Sequence, residues 1–140
     1  MNKVVLDTGP LNRILHPRLN ADIYSWVEEK RRAGVAIYLP EIADYETRRS
    51  LLWKGLTDSL VRLDKLKQLL AYLPLNTEVM QRAAQFWADC RRRGLPTAPD
   101  DALDGDAILA AQALSVGAIV ATENVGHLGL FVEARHWRDI

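Results

Sequence analysis

Four polar side chains stand at the ends of apolar runs, or in the helix expected after one, and they span most of the chain. They are Asp7 after VVL, Glu46 in IADYETRR, Asp106 in LDGDAILAAQA and Asn124 closing IVATEN, with Asp104 two residues before the third. Residues remote in sequence meet at the carboxyl edge of a parallel sheet, where open α/β folds place their sites. Carboxylates gathered there cannot all ionise without a cation between them. The economical reading is a hard-cation site for Mg²⁺ or Mn²⁺ in a phosphoryl-transfer enzyme.

Each residue also has a plainer role. Asp7 follows a run with no polar residue after Lys3, so its carboxylate needs a cation or hydrogen-bond donors. Asp-Thr-Gly-Pro is equally good chemistry for an Asx turn or a helix cap. Glu46 lies six residues into the helix expected after the second strand, with Arg49 on the same face. It is either half of a surface ion pair or a ligand of a metal or its water, with Arg48 or Arg49 toward substrate phosphate. Glu41 and Asp44 are neighbouring carboxylates open to confusion with it. Asp104 and Asp106 flank Gly105 at the expected start of an Ala-rich helix, and two positions apart they cannot share a face. One of them should be the N-cap. Asp106 is preferred for the metal, with Asp104 as cap or second carboxylate. Asn124 offers an amide oxygen to a cation or a water, or simply a turn residue. Thr122 can hydrogen-bond a neighbouring carboxylate. Glu123 should point away, because strand neighbours alternate faces. His16, His127 and His136 lack zinc-like spacing and read as structural or surface residues. Cys90 reads as a half-buried helical cysteine.

Positioning these groups requires alternating strands and helices. The pattern predicts strands at 3–7, 35–39, 72–75 and 118–122. Helices are expected at 11–16, with Thr8, Gly9 and Pro10 offering its start, and at 20–33, 41–54, 57–71, 77–93 and 105–116. Residues 94–101 read as a Pro- and Asp-rich loop, 124–128 as a turn, and 130–137 as an edge strand or short helix. Such alternation means an α/β/α three-layer sandwich around a mostly parallel sheet of four or five strands.

Composition narrows the class. With 140 residues and no internal repeat or linker, the chain reads as a single domain. Eighteen basic and eighteen acidic residues cancel, which disfavours nucleic-acid binding by bulk charge but leaves room for a local basic strip. One cysteine excludes an internal disulfide and a Cys-rich zinc site and favours a cytoplasmic home. The N-terminal apolar run is broken by Asp7 and does not read as a signal peptide. No run has the roughly 20 apolar residues of a membrane span. No Ser-His-Asp order or Gly-rich phosphate loop is present.

Four motifs together resemble the PIN-domain ribonucleases, and especially the VapC-like toxins of prokaryotic toxin–antitoxin pairs. VVLDTGPL is similar to the opening strand motif, with Asp7 followed by Thr8. LPEIADYETRRSLL is similar to the second, with Glu46 six residues after the proline. DGDAILAAQAL is similar to the third, with Asp106, and GAIVATENVGHL to the fourth, with Thr122 and Asn124. Many family members carry aspartate where this chain has Asn124, a departure that favours one metal over two, with Asp104 as a source of replacement charge. The resemblance implies a Mg²⁺- or Mn²⁺-dependent endoribonuclease, with Asp7, Glu46 and Asp106 holding the cation. It also implies an RNA substrate (tRNA or another structured RNA among the candidates), a homodimer and a small inhibitory antitoxin. The alternative is a non-catalytic RNA-binding or protein-interaction module on the same scaffold, its cation site degraded at Asn124. A haloacid-dehalogenase-type phosphatase also begins with a strand-end aspartate, but it needs a second one where Gly9 stands.

Overall fold

The structure, a computed structural model, describes residues 3–16, 18, 20–94 and 100–140, and of residues 100–102 the backbone alone. Strand β1 (Lys3–Leu6) is buried from Val4 onward, as befits a central strand covered on both faces. It pairs in parallel with β2 (Ala36–Pro40) on one side and β4 (Ile119–Thr122) on the other. Strands β3 (Ala71–Leu73) and β5 (Ala134–His136) complete a five-stranded sheet in the order β3-β2-β1-β4-β5. Every pairing is parallel, so the expected sandwich is found with all five strands.

Alternation along the strands builds two cores. Val4, Leu6, Leu39 and Ala121 pack with α1 (Thr8–Leu15), α2 (Ala21–Arg32), α4 (Thr57–Leu69) and Trp137. Val5 and Val120 face the other way, onto Leu109 and Ala113 of α6 (Asp100–Val116) and Leu128 of α7 (Val125–Leu128). Helix α5 (Thr77–Arg92) lies on α6 through Val79, Ala83, Ala107 and Ala111. These small residues allow a close helix–helix approach. Helix α3 (Glu41–Lys54) joins both cores, giving Ala43 to the first and Ile42 to the second.

Several boundaries differ from expectation. Helix α1 starts at Thr8, within the start that Thr8, Gly9 and Pro10 offer, with Asp7 as its cap and Gly9 and Pro10 in a first turn whose amides need no helical partner; it ends at Leu15 rather than 16. Helix α6 starts at Asp100 rather than near Gly105. Its apolar face continues upstream to Leu103, which is buried. Asp104 and Asp106 therefore lie inside the helix and neither is its N-cap. Of the expected 94–101 loop, residues 95–99 fall outside the described residues. The expected 124–128 turn is the single helical turn α7, and β5 runs into a 3₁₀ turn at Trp137–Asp139.

Candidate active site

The carboxyl ends of β1, β2 and β4 deliver Asp7, the start of α3, and Thr122 to one edge of the sheet. Asp7 continues the ladder by donating its N–H to the Ala121 carbonyl at 3.0 Å. Its Oδ1 accepts from the Thr8 N–H at 2.7 Å, and its Oδ2 accepts from the buried Thr122 hydroxyl at 2.7 Å. Asp7 is thus both the cap of α1 and a fixed, largely buried carboxylate; the two readings of it are compatible. Thr8 donates its hydroxyl to Glu46 Oε1 at 3.4 Å, which ties the second carboxylate to the first.

Glu46 reaches across from α3 to α6 at Gly105. A Cβ on residue 105 would stand 2.9 Å from Glu46 Oε2, closer than real Cβ contacts come. Glycine in a helix interior costs about 1 kcal/mol relative to alanine, and here it gives Glu46 its place. Asp106 follows on the same edge, with its Oδ2 3.8 Å from His127 Nδ1.

The three carboxylates feel one another. Burial raises the pKa of Asp7, and the neighbouring charge of Glu123 adds to the effect. Burial raises Glu46, opposed by Arg49 and reinforced by Asp7. Burial, with the charges of Asp7 and Glu46, pushes Asp106 up to about 6, and His127 opposes that rise. Three acids that resist ionisation at one sheet edge are short of positive charge, and hard oxygen donors suit Mg²⁺ or Mn²⁺. Among the described residues no three such groups already close around a point, so the fit rests on donor chemistry and shared charge.

The remaining candidates separate. Thr122 Oγ1 also accepts from the Asn124 N–H at 2.9 Å. The Asn124 amide nitrogen lies 3.0 Å from His127 Nδ1. Arg49 approaches Glu46 at 3.9 Å and lies over the Tyr45 ring. Arg48 turns away: it donates to Asp44 at 3.0 Å and to Asp64 at 2.9 Å. Two residues on a helix separate their faces, so Arg48 lies in the α3–α4 contact, away from Glu46. Asp104 lines a separate cavity between α5 and α6 with Met80, Trp87 and Ile108. Glu41 accepts from the Leu75 N–H at 2.7 Å and Asp44 is buried among cations, which removes both as rivals of Glu46.

Three residues were missed or misread. Gly105 carried the signal of a glycine inside an otherwise Ala-rich helix. His127, three residues after Asn124, had no spacing to mark it. Glu123 was expected to point away; it instead pairs with Arg13, accepts from the Trp137 indole at 3.2 Å, and its charge reaches Asp7. Strand alternation fails there because Glu123 lies beyond the last residue of β4.

A family model described as PIN domain matches residues 4–127, a span that holds all the residues just placed at the sheet edge. No curated protein matches the chain. Among solved structures, the chain is similar to VapBC2 from Rickettsia felis bound to a DNA fragment from their promoter. The TM-score is 0.81 at 14% identity, over 96% of this chain and 98% of that one. It is also similar to FitAcB from Neisseria gonorrhoeae, with a TM-score of 0.74 at 22% identity over 98% and 99%. DNA-bound VapBC from Salmonella typhimurium gives 0.73 at 19% identity over 98% and 99%. At these identities the likeness is one of fold.

Proposed function

The chain belongs to the PIN domain family, and from that premise we propose that it is a divalent-metal-dependent endoribonuclease, the toxin of a toxin–antitoxin pair. The observation that carries this reading is the shared electrostatic strain of Asp7, Glu46 and Asp106, brought from three separate elements to one edge. These three form the proposed ligand set, with Asn124 beside them. Asp104, offered by the sequence as a further ligand, is left out because it lines the α5–α6 cavity.

Bound Mg²⁺ or Mn²⁺ would supply water activation and charge neutralisation at the phosphodiester. The chain does the rest. The Thr122 hydroxyl and the Thr8 amide fix both oxygens of Asp7. Gly105 leaves room for Glu46 to lean on α6. Asp106, pushed up to about 6 by burial and by the charges of Asp7 and Glu46, is an acid that a bound cation would hold in its carboxylate form. Arg49, exposed beside Glu46, is placed to meet a substrate phosphate.

Named neighbours of the same fold are VapBC and FitAcB assemblies, which supports a small antitoxin as partner. A homodimer and a cytoplasmic setting are part of the same proposal. No helix among the described residues is long and apolar enough to cross a membrane. Trp137 is buried at 2% exposure and Trp53 is exposed at 87%, so Trp53 is the one of the two available to a partner.

One observation favours a second reading, a non-catalytic module: the fourth position is an amide, Asn124, and its side-chain nitrogen lies 3.0 Å from His127 Nδ1. The two are separated by cleavage of cellular RNA with Mn²⁺ or Mg²⁺ against EDTA, with Asp7→Asn alongside. Metal-dependent cleavage lost in the variant supports the nuclease. Folded protein without antitoxin that cleaves nothing under either metal supports the module.

A further inference from the structure

A cavity of about 700 Å³ adjoins the carboxylates on the α1 side, lined by Asn12, Arg13, His16, Arg18, Asn20 and Glu123 among others. Its size falls within the roughly 300–1,000 Å³ of ligand pockets. It shares a wall with the site, because Glu123 both lines it and raises Asp7.

The wall is rich in donors whose acceptor partners are already used. Asn12 accepts from the Thr47 hydroxyl through Oδ1 at 3.3 Å, which leaves its NH₂ to donate. His16 accepts from the Arg18 N–H through Nδ1 at 3.1 Å, which leaves Nε2 to donate. The two acids are already matched, Glu123 with Arg13 and Asp22 with Arg138. Arg18 has no ion-pair partner among the described residues. A polar pocket with surplus donors and one surplus cation suits an acceptor-rich anion.

We propose that this cavity is a nucleotide subsite, seating the sugar and phosphate next to the cleaved bond of a single-stranded RNA, with Arg18 on the phosphate. Placement beside a cleaved bond rests on the nuclease reading; binding of the oligonucleotide does not. It is tested on Asp7→Asn protein without divalent metal, by fluorescence anisotropy with a labelled single-stranded RNA oligonucleotide over a salt series. Arg18→Ala should raise Kd about three- to tenfold. It should also lower the slope of log Kd against log salt by roughly 0.7, one single-strand phosphate contact. Arg18→Lys should restore the slope. Arg32→Ala, the same charge change at the far end of α2, should match the parent. Equal Kd and slope for Arg18→Ala and Arg32→Ala would overturn the subsite. Unchanged oligonucleotide binding with lost capture of an acidic peptide would overturn it too, in favour of a protein partner. The nuclease reading is judged separately, by cleavage with the unaltered chain: oligonucleotide binding through Arg18 with no cleavage leaves the subsite and removes the nuclease, and cleavage with Arg18-independent binding does the reverse.

Discussion

Asp44 and Glu46 lie two residues apart on α3 and live in opposite electrostatic worlds. Asp44 is only 5% exposed, yet its charge is answered on all sides. Arg48 donates to it at 3.0 Å, the Tyr72 hydroxyl at 2.8 Å, and Lys67 stands 3.4 Å away. The cost of that arrangement falls on Tyr72, whose pKa is raised by burial and by the Asp44 charge. Glu46 has a 3.4 Å hydroxyl contact and one arginine at 3.9 Å, with Asp7 and Asp106 as close neighbours in charge. Burial therefore does not distinguish an acid that the fold neutralises from one proposed to hold a cation. What distinguishes them is whether the fold completes the neutralisation or leaves it to something outside the chain.

The contrast can be broken from either side. The largest expected effect is on cleavage: Asp7→Asn should lower it by roughly 10²-fold or more. The melting temperature should hold or rise, since the variant removes a charge the fold resists. Next, Asp44→Ala should cost about 2–3 kcal/mol in denaturant unfolding by leaving buried partners unmatched, with cleavage per folded molecule preserved. A loss of cleavage without loss of stability would mean that Asp44 and not Glu46 belongs to the site. Gly105→Ala sharpens the comparison further. It should gain up to about 1 kcal/mol of helix stability while displacing Glu46 and reducing cleavage about tenfold. Wild-type activity in that variant would show that Glu46's position is not needed.

The smallest effect is in pH. Asp106 titrates at about 6 in the fold against an ordinary value of 3.8, so between those values the metal-free fold holds more protons than the unfolded chain. Its contribution to stability is complete below pH 3.8 and is lost as pH rises through 6; Asp7 and Glu46 act in the same direction. Thermal melts in EDTA should show stability from this group falling over that window, less so in Asp106→Asn. Added Mn²⁺ should raise the melting temperature more at pH 8 than at pH 5. A Mn²⁺ effect independent of pH would argue against carboxylate ligation.

Some of this was readable in one dimension. VVL, AIYL and AIVAT are apolar runs of strand length that turn polar at the end, and that pattern alone marks parallel strands with a site at their carboxyl edge. It marks Asp7 at the end of the first run and Glu46 six residues after Pro40 closes the second, whereas Asp106 is marked by its place at the head of the Ala-rich helix that precedes AIVAT. The start of α6 was misjudged because Gly105 reads as a breaker, and only contact with Glu46 explains a glycine inside the helix. Arg48 and Arg49 were indistinguishable until the packing of α3 on α4 showed which face Asp64 occupies. His127 and Glu123 carry no local signal, because their roles come from neighbours more than ten residues away in the chain, Asp106 and Arg13.

The sequence by itself determined the element order, the parallel sheet and the acids delivered to its edge, because periodicity and strand-end polarity are properties of neighbouring residues. Only the tertiary structure decided which acids are neutralised and which are left short of charge. That depends on distances between side chains from different elements, and Coulomb energies and desolvation are set by those distances rather than by position along the chain.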